Sequence, residues 1–65
     1  MKILLDEYMY KKNLTVRQVS ILTGIPKSTI HDIMNNRVSP TMNIMEQLAA
    51  GLKIKISNLY ESDFK

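Results

Sequence analysis

The chain has no cysteine and no tryptophan, and only one histidine, two glycines and two prolines in 65 residues. Without cysteine, neither disulfides nor thiolate-bound zinc can staple the fold, so packing must supply the stability, helped at most by self-association. The length allows a single small domain, residues 1–65, with one core and no large buried active site. No segment approaches the roughly 20 apolar residues of a membrane span, and Met1 to Leu5 is too short an apolar run for a signal peptide. A soluble, cytoplasmic protein with no membrane partner is expected. There is also no glycine-rich phosphate loop, no cluster of metal ligands and no nucleophile with a matched base. An enzyme is therefore not expected, nor a cofactor, a metal or a small-molecule ligand.

What is present is positive charge, and its placement matters more than its total of +3. Lys11, Lys12, Arg17, Lys27 and Arg37 face only Asp32 across residues 11–37, while the first ten residues carry a small negative excess and residues 38–65 balance. A basic stretch in the middle of a small domain suits a polyanion, although an ordinary solvated surface has the same composition.

Periodicity divides the chain into five helices. Leu5, Tyr8 and Met9 share a face in a first helix over about 2–12, where Asn13 is a suitable stop because Asn tolerates the left-handed conformation. Tyr8 and Tyr10 could stack on bases, but core packing with the hydroxyl at the rim is the expected role. Thr15 and Gln18 form a capping box at the start of a second helix, about 16–23, with Leu14 as an apolar staple before it. Val16, Val19, Ser20 and Thr23 make its inner stripe, Ser20 being small enough for close helix approach. Gly24 ends it by supplying a positive φ, and Ile25 plugs the turn. Pro26 opens a third helix, about 27–35, in which Ile30, Ile33 and Met34 face inward and Lys27, Ser28, His31, Asp32 and Asn35 face outward. One of Asn35 and Asn36 should take positive φ. Thr41 caps a fourth helix, about 42–52, with Met42, Met45, Leu48, Ala49 and Leu52 on its core face. Gly51 inside it costs roughly 1 kcal/mol against Ala, so it implies either a tightly packed neighbour or a frayed last turn. A short fifth helix is expected at about 56–60, followed by a polar tail ending in Phe64 and Lys65.

This order of elements resembles the helix-turn-helix domain of the Cro and phage-repressor family, also called the Xre family or Cro/C1 type. The matching residues are Leu14 and Thr15 at the capped start, Val19 beside Ser20, the run GIPKSTIHDIMNNR from Gly24, and SPTMNIMEQLAAGLKIKISNLY from Ser39, with Leu48, Ala49 and Leu52 at the family's offsets. The resemblance covers nearly the whole chain. It implies an all-α, five-helix, lambda-repressor-like domain whose helices 2 and 3 form the helix-turn-helix. It further implies a small transcriptional repressor of the Cro, controller or mobile-element kind, bacterial or phage-encoded, cytoplasmic and associated with the nucleoid when bound. Its partner would be double-stranded DNA, engaged as a homodimer on a palindromic site.

Carried over residue by residue, the resemblance makes Lys27, Ser28, Thr29, His31 and Asp32 candidates for base contact. Arg17, Asn35, Asn36, Arg37, Lys11 and Lys12 become candidates for phosphate contact. Three departures qualify the match. Val16 stands where many members have Gln, Asn36 and Lys53 stand where Gly usually follows helices 3 and 4, and Met9 and Met34 stand where many relatives form an Arg–Glu ion pair. Replacing both charges by apolar residues removes a desolvation cost without leaving an orphan charge, which predicts that Met9 and Met34 touch.

Two features admit a second reading. Ile21 and Leu22, polar in most relatives, are either scattered surface residues or, with Ile44 or the Tyr60 and Phe64 tail, a surface for a partner. The alternative function is accordingly a protein-interaction module, such as an antitoxin-type helix-turn-helix protein.

Overall fold

The computed structural model describes residues 1–64 and contains four α-helices, a short 3-10 turn and one two-stranded pairing. The order is β1 (Lys2–Ile3), α1 (Leu5–Lys11), α2 (Val16–Thr23), α3 (Lys27–Met34), α4 (Met42–Leu52), a 3-10 turn (Ile56–Leu59) and β2 (Tyr60–Glu61).

The two chain ends depart from the periodic pattern. Residues 2 and 3 do not begin helix 1. They pair antiparallel with β2, Lys2 opposite Glu61 and Ile3 opposite Tyr60, and the Leu4 N–H donates to the Leu59 carbonyl at 2.8 Å. No side chain caps α1 at Leu4; the strand pairing instead takes up the chain just before the helix. The expected fifth helix is only the four-residue 3-10 turn, and Tyr60 is extended at φ −151°. A short 3-10 segment suffices to drop Leu59 into the core, where it is fully buried.

Between these ends, short-range hydrogen bonds set the helix limits. In α2 the Thr15 hydroxyl accepts from the Gln18 N–H at 3.1 Å, and the Gln18 side chain accepts from the Thr15 N–H at 2.8 Å. Thr41 caps α4 through the Ile44 N–H at 3.2 Å. Three helices end in the same way, on a non-glycine residue with positive φ: Asn13 at 55°, Asn36 at 59° and Lys53 at 57°. After each, the next N–H returns to the last turn, Leu14 to Met9 at 2.8 Å, Arg37 to Asp32 at 2.8 Å and Ile54 to Ala49 at 3.0 Å. These are Schellman closures. Asn tolerates the left-handed region, but Lys gains nothing there and its Cβ is strained. Lys53→Gly is therefore expected to raise stability by about 1 kcal/mol in urea denaturation, with Lys53→Ala giving no gain as the control.

The core collects Leu5 and Met9 from α1, Val19 from α2, Ile30 and Ile33 from α3, and Met45, Leu48 and Leu52 from α4. Ile25 closes the α2–α3 turn at 2% exposure. Met34 is half-buried and packs against the cluster that contains Met9. Two apolar residues change place. Met42 is 65% exposed, because the core face of α4 begins one turn later at Met45, while Ile44 packs on the core from the flank. Tyr8 packs similarly, but Tyr10 is 88% exposed and is no core residue.

Gly51 is occupied space rather than a frayed end. A Cβ there would lie 2.6 Å from the Leu22 carbonyl oxygen and 2.7 Å from Thr23 Cα. The close approach between α2 and α4 depends on this glycine. Ser20 has another task, donating its hydroxyl to the Ile25 carbonyl at 2.6 Å.

Candidate nucleic-acid interface

The link between α2 and α3 is only Gly24, Ile25 and Pro26, and almost every polar group in it has a partner. Gly24 takes φ 76° and its N–H donates to the Ser20 carbonyl at 2.8 Å. The buried Thr23 hydroxyl donates to the Val19 carbonyl at 2.7 Å and accepts from the Ile25 N–H at 3.2 Å. From α4, Gln47 donates to the Thr23 carbonyl at 2.9 Å. Together with the Ser20 bond to Ile25, these contacts tie the turn that leads into α3 to both α2 and α4. Gln47 carried no sequence signal for this role, since its partner lies 24 residues away.

Pro26 caps α3 with φ −57° and ψ 144°, so its missing N–H costs nothing and Lys27 is the first helical residue. Ile30 and Ile33 are buried, which turns Lys27, Ser28, His31 and Asn35 outward as an exposed face. Among the described residues these four side chains make no hydrogen bond or ion pair within the chain, so their donors and acceptors are available to a ligand. Thr29 is half-buried at the edge of this face. Asp32 is also partly covered and lies 3.8 Å from the Arg37 guanidinium. Asn36 and Arg37 follow in the turn and are exposed.

Arg17 stands exposed in the first turn of α2, beside the capped end of the helix. Val16 packs inward against the core. Lys11 and Lys12 line a different feature, a surface groove of about 650 Å³ between α1, the end of α4 and the 3-10 turn, together with Glu7, Tyr8 and Lys53. Neither α2 nor α3 contributes to that groove.

No helix among the described residues is long and apolar enough to cross a membrane, and no group of His, Cys, Asp and Glu side chains among them could hold a metal. The chain is a small, mostly helical domain with a short glycine-containing turn between α2 and α3 and a solvent-facing polar face on α3. A family model of the Cro/C1-type HTH DNA-binding domain matches residues 4–65, and the chain belongs to that family. No match was found among curated proteins or among solved structures.

Proposed function

We propose that the protein is a small transcriptional repressor in which α2 and α3 form the helix-turn-helix and α3 reads the major groove. The observation that carries this is the outward face of α3, where Lys27, Ser28 and His31 have uncommitted polar groups on a helix that follows a hydrogen-bonded turn. Donors and acceptors of this kind match base edges, with Thr29 and Asp32 at the margins of the same face. Arg17, Asn35, Asn36 and Arg37 flank it and set the register through phosphates. Lys11 and Lys12 add a weaker, longer-range attraction.

One such helix covers few base pairs, and a single module of this size buries limited surface. Two copies on a palindrome, with half-sites about 34 Å apart, supply the affinity and specificity that one lacks. The working site is the cytoplasm, where the nucleoid presents the DNA. The domain acts by occupying its operator and carries out no chemistry of its own.

Selection of bound duplexes from a random pool tests this directly, and a two-fold symmetric consensus is the expected result. Ala replacement of Lys27, Ser28 or His31 should cost about 1–3 kcal/mol per lost base contact and relax preference at one position. Arg17→Ala should weaken all sequences alike and reduce the salt slope by about one. If these variants leave affinity, consensus and salt dependence unchanged, α3 is not the reading helix.

A protein partner is the second reading, supported by Ile21 and Leu22, which stand side by side on α2 at 73% and 52% exposure. No retention of duplex DNA at low salt would favour it.

A further inference from the structure

Asp32 is in an unfavourable place for a carboxylate on a DNA-binding surface. It lies in the last turn of α3, where the helix dipole disfavours negative charge, and beside residues that would approach phosphates. Its side chain is 40% exposed and sits 3.8 Å from the Arg37 guanidinium. The backbone brings the two residues together, although the Arg37 side chain is itself 71% exposed. Asn36 turns the chain at φ 59°, and the Arg37 N–H closes onto the Asp32 carbonyl at 2.8 Å, which brings Arg37 back over α3.

We infer that Asp32 is a specificity-determining positioning residue, an internal competitor that occupies Arg37 until a phosphate in the correct register displaces or shares it. The inference rests on the DNA-binding function proposed above. A guanidinium has five donors on a planar fork, so a fully seated helix lets Arg37 bridge Asp32 and a phosphate together. In a loosely seated, non-specific complex Arg37 must leave Asp32 to reach the backbone. The carboxylate thus penalises wrong sites more than the right one, and also removes one positive charge from the sequence-independent attraction.

The test compares wild type, Asp32→Asn, Asp32→Glu, Arg37→Ala and the Asp32→Asn/Arg37→Ala double variant. Binding is measured from about 50 mM to about 200 mM salt, on the duplex recovered by selection and on a random-sequence duplex. Thermal melts of the free proteins check that each variant folds. Asp32→Asn should tighten random-duplex binding by about three- to tenfold, tighten cognate binding less, and steepen the salt slope by up to about one. Asp32→Glu should restore the wild-type slope and ratio, and Arg37→Ala in the Asp32→Asn background should erase the gain.

The inference is overturned if Asp32→Asn weakens cognate binding selectively, which would make Asp32 a base-reading acceptor. It is equally overturned if affinity and slope do not change, or if the gain survives removal of Arg37. A wild type that binds neither duplex at low salt overturns the proposed function itself, and this inference with it. A binding wild type with an inert Asp32→Asn variant overturns the inference alone.

Discussion

Gly51→Ala is expected to destabilise the protein by about 3 kcal/mol, although Ala is the better helix former by about 1 kcal/mol. For a domain of this size that corresponds to a fall in melting temperature of roughly 12–24 °C. The reason is what the new methyl would meet. Its nearest neighbours are the Leu22 carbonyl oxygen at 2.6 Å and Thr23 Cα at 2.7 Å, both backbone atoms that no rotamer change can move, and Thr23 Cγ2 also at 2.7 Å. Relief requires α2 and α4 to separate. That displacement would stretch the Gln47 bond to the Thr23 carbonyl and disturb the turn that orients α3. DNA affinity should therefore fall even at temperatures where the variant remains folded. Thermal denaturation by circular dichroism, with Ala50→Gly as an exposed control costing about 1 kcal/mol, separates the effects. A Gly51→Ala protein as stable as wild type would mean that the helices are not in contact there.

The same glycine shows where the sequence is legible and where it is not. Features that depend on residues three to five apart could be read directly, because the partners lie within one helical turn of each other. The Thr15–Gln18 box, the Thr41 cap, the positive φ of Gly24 and the left-handed Asn13 are of this kind, whereas after α3 the sequence leaves Asn35 and Asn36 open and Asn36 takes the positive φ. So is the outward face of α3, since burying Ile30 and Ile33 leaves Lys27, Ser28 and His31 no other direction. Gly51 could be recognised as unusual, but its partner on α2 could not be named from periodicity.

Contacts between distant segments escaped the sequence for the same reason. A helical pattern in residues 2–12 carries no sign that Ile3 pairs with Tyr60, a pairing that takes residues 2 and 3 out of α1. Met42 and Met45 look equivalent on a helical wheel, yet the first is exposed and the second buried, because the neighbouring elements cover one turn and not the one before it. On the candidate face, Asp32 and Arg37 were visible as separate candidates. Their pairing depends on the reversal at Asn36, which brings the later residue back to the earlier one.

Met9→Arg is expected to cost about 3–5 kcal/mol, and adding Met34→Glu to that variant is expected to recover at least half of the loss. Met9 is 3% exposed in the core between α1 and α3, and Met34 packs half-buried against the same cluster. An arginine placed at the first position alone would bury a charge with no partner, and its desolvation would fall entirely on the folded state. A glutamate at position 34 lies near enough to solvent to be tolerated by itself at smaller cost. If the two side chains meet, it would also supply the missing carboxylate and form an ion pair across α1 and α3. Urea denaturation of the wild type, both single variants and the double variant closes the cycle, and a coupling of about 2–3 kcal/mol is the expected result. Additive losses would show that Met9 and Met34 pack against different neighbours. A double variant more stable than wild type would show that the apolar pair was not selected for stability, since exchanging a buried ion pair for well-packed apolar residues is usually neutral or favourable.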